Sequence, residues 1–295
     1  MKEEEVLSFP AKILDQAQRE FYFDQGYLIV ESLLSETWLE KLRSVTTTVT
    51  ENSRSIGVSD QVWDLEPGHN SDSPRLRRLT SPNDYAEEYW EYATSILLLD
   101  VVEDLVGPDV KFHHSKLNFK WARGGEEVKW HQDIQFWPHT NYSPLTIGTY
   151  LYDCDLDQGP LLVRPKSHKG ELFNQFNDDG KWSGHVHSAD HARLDKYPIR
   201  ALPGPAGSIT IHNCRTLHAS QKNNTDNGRP LLLNAYSSAD AMPYTPVPTP
   251  SRHYQKILRG TPARWAHHDP RPCQVPPDWS GGYDSIFSYQ QAETT

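Results

Sequence analysis

A histidine and an aspartate stand one residue apart in Val128-Lys129-Trp130-His131-Gln132-Asp133-Ile134. The segment reads as a strand, and residues i and i+2 of a strand point to the same side, about 6.5–7 Å apart along the backbone. A pair so placed can chelate one metal ion. With a second histidine from a distant strand it makes the two-histidine, one-carboxylate face that holds non-haem iron(II) and leaves positions open. The spacing alone decides little, since 14 histidines and 22 aspartates placed at random give about one His-x-Asp pair. The chain has a second, His267/Asp269, but Ala266-His267-His268-Asp269-Pro270-Arg271-Pro272 is a proline-broken loop with no strand pattern.

His218 is the candidate third ligand. It follows the strand-like run Gly207-Ser208-Ile209-Thr210-Ile211-His212 and precedes Arg229, which opens another run, Leu231-Leu232-Leu233. An arginine near an iron site has a task to do, because its planar fork matches a carboxylate bidentately. Standing alone, Arg229 reads as a surface salt bridge. His113, His114, His139, His168, His185, His187, His191 and His253 have no partner at a telling spacing and read as surface or packing residues.

The elements that must position these groups are strands. From Val110 onward short β-type runs at 111–121, 127–134, 145–152, 160–164, 207–212 and 231–237 are separated by turn residues, which predicts a sandwich or barrel. The connections after 164 and after 184 hold no long periodic helix, which argues against parallel βαβ winding. The N-terminal third reads differently. A helix over 11–24 stops at Gly26, a strand Tyr27-Leu28-Ile29-Val30 follows, and Ser35 caps a helix with Trp38, Leu39, Leu42 and Val45 on one face. Residues 45–80 read as irregular, and 82–106 as helical up to Gly107-Pro108. Nine of the 22 prolines lie between Pro243 and Pro277, so regular strands cannot run there. One short helical patch, about Arg252 to Leu258, is expected, and the tail is expected to wrap the barrel. The chain thus reads as a single domain over 1–295: a helical part (1–107), a β core (108–240) and a proline-rich wrap (241–295).

Composition bounds the partners. Apolar residues make up 36% and charged residues 23%, with a net charge of −10. No basic stripe marks a nucleic-acid surface. The one basic run, Arg75-Leu76-Arg77-Arg78, reads as a solvated loop, with a handle for an anionic substrate as the alternative. Cys154, Cys214 and Cys273 have neither metal nor disulfide spacing, which fits a reducing compartment. The opening Met1-Lys2-Glu3-Glu4-Glu5 is acidic where a secretory signal is basic, and Ile96 to Val106 is too short and too charged to span a bilayer. The expectation is a cytoplasmic monomer or homodimer that binds a small molecule, with neither nucleic acid nor membrane as a partner.

Several segments together resemble the phytanoyl-CoA dioxygenase family, a branch of the Fe(II)/2-oxoglutarate oxygenases that includes the ectoine hydroxylases. Glu20-Phe21 through Gly26-Tyr27-Leu28 is similar to its opening helix and strand. Leu105-Val106-Gly107-Pro108-Asp109-Val110 with Leu117-Asn118-Phe119-Lys120 is similar to its lead into the barrel. Trp130-His131-Gln132-Asp133 resembles its metal motif, and Gly159-Pro160-Leu161-Leu162-Val163 with Pro165-Lys166-Ser167-His168-Lys169-Gly170 its most recognisable loop. His218-Ala219-Ser220, Asn223 and Arg229-Pro230 resemble its distal histidine, following serine and cosubstrate arginine. The resemblance covers about 18–238.

The resemblance implies a mainly β fold with flanking α-helices around a double-stranded β-helix, the cupin-like jelly roll. It implies Fe(II), 2-oxoglutarate and O2 as cofactor and cosubstrates, with succinate and CO2 released as a substrate C–H bond is oxidised, usually by hydroxylation. Carried over, His131, Asp133 and His218 bind the metal. Arg229 and Ser220 hold the distal carboxylate of 2-oxoglutarate, with Asn118 and Thr149 as further contacts. Gln132, Phe136, Trp137 and Lys120 are the candidate substrate contacts, with ordinary core packing the alternative for Phe136 and Trp137. Relatives often carry a bulky residue near Gly148, so extra room is expected there. Relatives that halogenate have a small residue in place of Asp133, so the intact carboxylate argues against halogenation. Desaturation, epoxidation and rearrangement remain open beside hydroxylation, as does a binding module without catalysis.

Overall fold

The computed structural model describes residues 1–249, 251–283 and 285–291. Eight helices and twelve strands are found among the described residues. The helices are α1 (Glu3–Ser8), α2 (Gln16–Gln25), α3 (Glu36–Asn52), α4 (Pro82–Tyr85), α5 (Glu87–Ala93), α6 (Ile96–Val106), α7 (His191–Leu194) and α8 (Ile286–Gln291). The strands are β1 (Tyr27–Val30), β2 (Trp63–Leu65), β3 (Leu76–Thr80), β4 (Val110–Lys120), β5 (Val128–His131), β6 (Leu145–Tyr150), β7 (Leu161–Val163), β8 (Arg200–Leu202), β9 (Ile209–Asn213), β10 (His218–Ser220), β11 (Arg229–Ser238) and β12 (Ile257–Arg259).

The helix ends follow local chemistry. Asp15 caps α2 by accepting from the Gln18 amide, and Gln18 returns the bond to the Asp15 N–H. Gly26 closes α2 at φ +82, a left-handed position that suits glycine. Ser35 and Ser95 cap α3 and α6. The helical layer is tied together by buried Asp104 of α6, whose carboxylate accepts the amides of Lys12, Ile13 and Leu14.

The strands form two sheets. The larger runs β1-β9-β6-β11-β4-β3-β2, with β12 also on β4, and the smaller runs β5-β10-β7-β8. Their pairings are antiparallel throughout. The fold is therefore mainly β with helices outside, the jelly roll that the resemblance implied. Alternation along each strand divides the larger sheet's faces. Leu145 and Ile147 of β6, Ile209 and Ile211 of β9, and Leu232 of β11 pack against α3, α5 and α6 in the main apolar core. Their neighbours Thr146, His212, Leu231 and Leu233 face inward toward the smaller sheet and line a cavity. At ~25 cal/mol per Å2 of apolar surface, the outer face supplies most of the hydrophobic stabilisation and leaves the inner face free for polar groups.

The structure departs from four sequence expectations. Residues 45–80 are irregular only in part: α3 continues to Asn52, and β2 and β3 extend the larger sheet. Arg75–Arg78 is accordingly no solvated loop. Arg77 pairs with Asp64 and Glu126, and Arg78 is only 1% exposed, because β3 pairs with β4 and turns alternate residues inward. The 82–106 stretch is three helices, broken at Ala86 and Thr94. The patch at Arg252–Leu258 is not helical, and Ile257 instead pairs with Lys111 of β4. Of the tail, Trp279, Tyr283 and Phe287 are buried and α8 packs on β5, while residues 250, 284 and 292–295 lie outside the described residues. No helix among the described residues is long and apolar enough to cross a membrane.

Candidate metal centre

His131 ends β5 and His218 begins β10, and the two are direct register partners across the smaller sheet. Asp133 follows β5 in a single 3-10 turn, Asp133–Gln135, which swings its carboxylate to the same side. The Nε2 atoms of His131 and His218 lie 3.8 and 3.7 Å from Asp133 Oδ1. Each imidazole turns its Nδ1 to a backbone carbonyl two residues upstream, His131 to Lys129 at 2.8 Å and His218 to Thr216 at 2.9 Å. A carbonyl can only accept, so Nδ1 carries the proton and the Nε2 lone pairs face the carboxylate. The second oxygen of Asp133 accepts from Thr146 Oγ1 at 3.2 Å and faces His212 Nε2 at 3.4 Å. The supporting groups thus fix which carboxylate oxygen points at the histidines.

The charge states suit metal binding. Burial pushes His131 down to about 4 and His218 well below its ordinary value, so both are neutral near pH 7. Burial works against the Asp133 charge, yet His218, His212 and Lys116 hold its carboxyl well below the usual range. Ligand atoms ~2.1 Å from one ion stand at most ~4.2 Å apart, so the separations of 3.7 and 3.8 Å fit a single metal. Among the described residues these three are the cluster of His, Cys, Asp and Glu side chains able to hold one.

The centre opens into a small cavity, about 80 Å3 as the space open to water centres. Polar residues on its wall include Arg78, His114, Lys116, Asn118, Thr146, His212, Ser220 and Arg229, and the apolar part includes Leu231, Leu233, Ile286 and Phe287. Arg229 is 3% exposed. Its Nη2 donates to the Gly159 carbonyl at 2.7 Å, while its Nε is buried without a hydrogen-bond partner. Asn118 Oδ1 is likewise buried and unpartnered. Unsatisfied buried groups of this kind cost stability unless a ligand meets them.

Of the residues expected at the site, His131, Asp133, His218, Arg229, Ser220 and Asn118 converge on the cavity. Five others do not serve as expected. Thr149 faces the helices: it pairs with Leu232 and Ile209, and its hydroxyl bonds Tyr92 at 2.8 Å. Gln132 is fully buried and spends its amide on the Arg215 and Glu171 carbonyls and the Phe173 N–H. Phe136 packs edge-on to His131, Trp182 and Tyr283, and Trp137 against His113 and His139, so both are core beneath the tail. Lys120 lies on the wall, but its ammonium donates to the carbonyls of Glu126, Gln221 and Ser220, which leaves it a staple and not a substrate contact. The room expected at Gly148 is filled, since a Cβ there meets Thr210 Oγ1 at 2.8 Å, Leu233 at 3.2 Å and Leu231 at 3.3 Å.

Sequence reasoning missed His212, His114, Thr146 and Lys116, and assigned Arg78 to a loop. The signal was the period of two. His212 ends the same strand run already recognised, and Lys116 lies two residues before Asn118 on β4.

Comparison with known proteins agrees with this geometry. The sequence profile described as "Phytanoyl-CoA dioxygenase (PhyH)" matches residues 22–231. A Stutzerimonas stutzeri protein named probable alpha-ketoglutarate-dependent hypophosphite dioxygenase is 30% identical over 95% of this chain and 98% of its own. The L-proline trans-4-hydroxylase of Streptomyces griseoviridis is 27% identical over 83% of this chain and 93% of its own. Among solved structures, EctD from S. alaskensis with 2-oxoglutarate and 5-hydroxyectoine shares the fold at TM-score 0.67 and 20% identity, covering 91% of this chain and 92% of that one.

Proposed function

The chain belongs to the phytanoyl-CoA dioxygenase family of iron- and 2-oxoglutarate-dependent oxygenases, and from that premise we propose that it hydroxylates a small molecule at a centre held by His131, Asp133 and His218. One observation carries the reading: two neutral imidazoles, each locked by its Nδ1 bond, present Nε2 to one oxygen of an ionised, buried carboxylate.

When bound, iron and 2-oxoglutarate supply the oxidising chemistry, O2 being consumed as 2-oxoglutarate is decarboxylated to succinate and CO2. The chain's own residues do the rest. Thr146 and His212 hold the outer oxygen of Asp133, which orients the inner one. Arg229 is braced by the Gly159 carbonyl and turns its remaining donors to the distal carboxylate of 2-oxoglutarate, with Ser220 beside it on the wall. Asn118 offers its side-chain amide toward the cosubstrate. Val128, Leu161, Ile286 and Phe287 make part of the cavity wall apolar and help to exclude water. Breaking the substrate C–H bond needs no acid or base from the chain. The cavity's size and the small substrates in two relatives' names, hypophosphite and L-proline, support a compact substrate.

The test is succinate formation by the iron-loaded protein supplied with 2-oxoglutarate and O2. Turnover is expected in the wild type and not in His218→Ala. Iron-loaded wild type that makes no succinate under any substrate contradicts the reading.

A further inference from the structure

Three lysines of β4, Lys111, Lys116 and Lys120, are turned into the protein, and they make an internal comparison. Lys111 donates to the Ala241 carbonyl at 2.6 Å and to Gln255 Oε1 at 2.7 Å. Lys120 donates to three carbonyls. An ammonium taken out of water needs such partners, since an unmet charge there is costly. Lys116, half-buried, has none: it makes no hydrogen bond or ion pair with the described residues and lies on the cavity wall between Thr80 of β3 and Leu233 of β11. Burial pulls it down to about 8, with the Asp133 charge acting in the opposite direction.

Its neighbours point the same way. Arg78, 1% exposed, lines the cavity on β3 opposite Asn118, two pairings along from Lys116. Among the described lining residues Arg78, Lys116, Lys120 and Arg229 are cationic, and Asp133 is the one carboxylate. An Fe(II) ion and a 2-oxoglutarate dianion cancel, so they do not offset that excess. The anchor at Arg229 is separate. Lys116 is opposite Leu233, four residues along β11 from Arg229, which puts the two Cα levels ~13 Å apart. The cavity is small, about 80 Å3.

We propose that Lys116, with Arg78 beside it, receives the anionic head of the substrate, which is a compact oxyanion: a short carboxylate or a phosphorus oxyacid. The proposal rests on the dioxygenase reading and adds to it the substrate's charge class and the residue that reads it.

The experiment uses the full chain loaded with Fe(II) and 2-oxoglutarate under nitrogen. Hypophosphite, propionate and neutral propionamide are titrated in turn, and binding is read calorimetrically and as a shift of the weak visible band of the iron chelate. At least one anion is expected to bind wild type about tenfold or more tighter than propionamide, as a charge-assisted pair implies. Which anion does so distinguishes the two sources. Lys116→Met is expected to lose that preference, Lys116→Arg to recover part of it, and the chelate band itself to persist in both. Equal binding of the amide, no binding of either anion, or undiminished anion binding by Lys116→Met overturns the proposal while the chelate band still stands. Absence of the band in wild type instead removes the dioxygenase reading, and the anion site falls with it.

Discussion

His131 and His218 face each other directly across β5 and β10, their ring centroids 4.0 Å apart, and each donates Nδ1–H to the carbonyl two residues before it. Two strands distant in sequence thereby present identical lone pairs to Asp133. The arrangement is set by backbone register.

It follows that the ligands are separable from the fold. Asp133→Ala should lower iron affinity by more than about 100-fold, since altering even supporting groups at metal sites costs 10–100-fold. Helix and strand content should be unchanged. Metal analysis after dialysis, beside circular dichroism, checks both halves; an Asp133→Ala protein that retains iron sinks the assignment.

Arg229 gives a different signature. Arg229→Ala should leave iron binding intact and weaken 2-oxoglutarate by about 10- to 100-fold, the worth of a charged hydrogen-bonded pair of 1.5–3 kcal/mol. Arg229→Lys should fall between, because an ammonium lacks the planar fork. Separate iron and 2-oxoglutarate titrations distinguish this from general damage, and equal loss of both speaks against a cosubstrate role.

Thr149 is predicted to matter for stability alone. Thr149→Val leaves the buried Tyr92 hydroxyl without its 2.8 Å partner, at a cost of about 1–3 kcal/mol. The affinity for 2-oxoglutarate should not move. A denaturation midpoint with a parallel 2-oxoglutarate titration reads both, and a weakened cosubstrate with unchanged stability would restore Thr149 to the site.

Acid should destabilise the fold through histidines away from the centre. Burial pushes His139 and His168 down to about 4 in the folded chain, against about 6.5 unfolded. Between these values the unfolded chain takes up protons that the folded chain refuses. Stability is therefore full above about pH 6.5 and is lost as pH falls toward 4. Each such histidine costs on the order of 1 kcal/mol at pH 5.5. Urea midpoints at pH 7.5 and 5.5 should differ accordingly, and less so in His168→Gln; equal midpoints for wild type would contradict the burial argument.

Much of this was legible in the sequence, and the remainder has physical causes. The strand pattern around His131 and the run before His218 pointed to the three side chains that the structure brings together, because a period of two fixes which side chains share a face. The same period puts Asn118 on the cavity wall. Thr149 was misassigned by one residue of that period: Thr146, Gly148 and Tyr150 face inward, and Thr149 faces the helices. Arg78 and Lys116 were hidden for another reason. A basic run among polar residues looks solvated until β3 is seen to pair with β4, and a non-local pairing leaves no local signature. Phe136 and Trp137 read as pocket residues because nothing in their neighbourhood announces that Trp279 and Tyr283 will fold over them from the far end of the chain.

The most direct measurement is an anaerobic titration of metal-free protein with Fe(II) and then 2-oxoglutarate, following the weak visible charge-transfer band of the chelate in wild type, Asp133→Ala and Arg229→Ala. The structure predicts a saturable band in wild type, none in Asp133→Ala, and one requiring much more 2-oxoglutarate in Arg229→Ala. A wild type that binds iron without developing the band, or a band indifferent to both substitutions, would contradict the centre described for His131, Asp133 and His218.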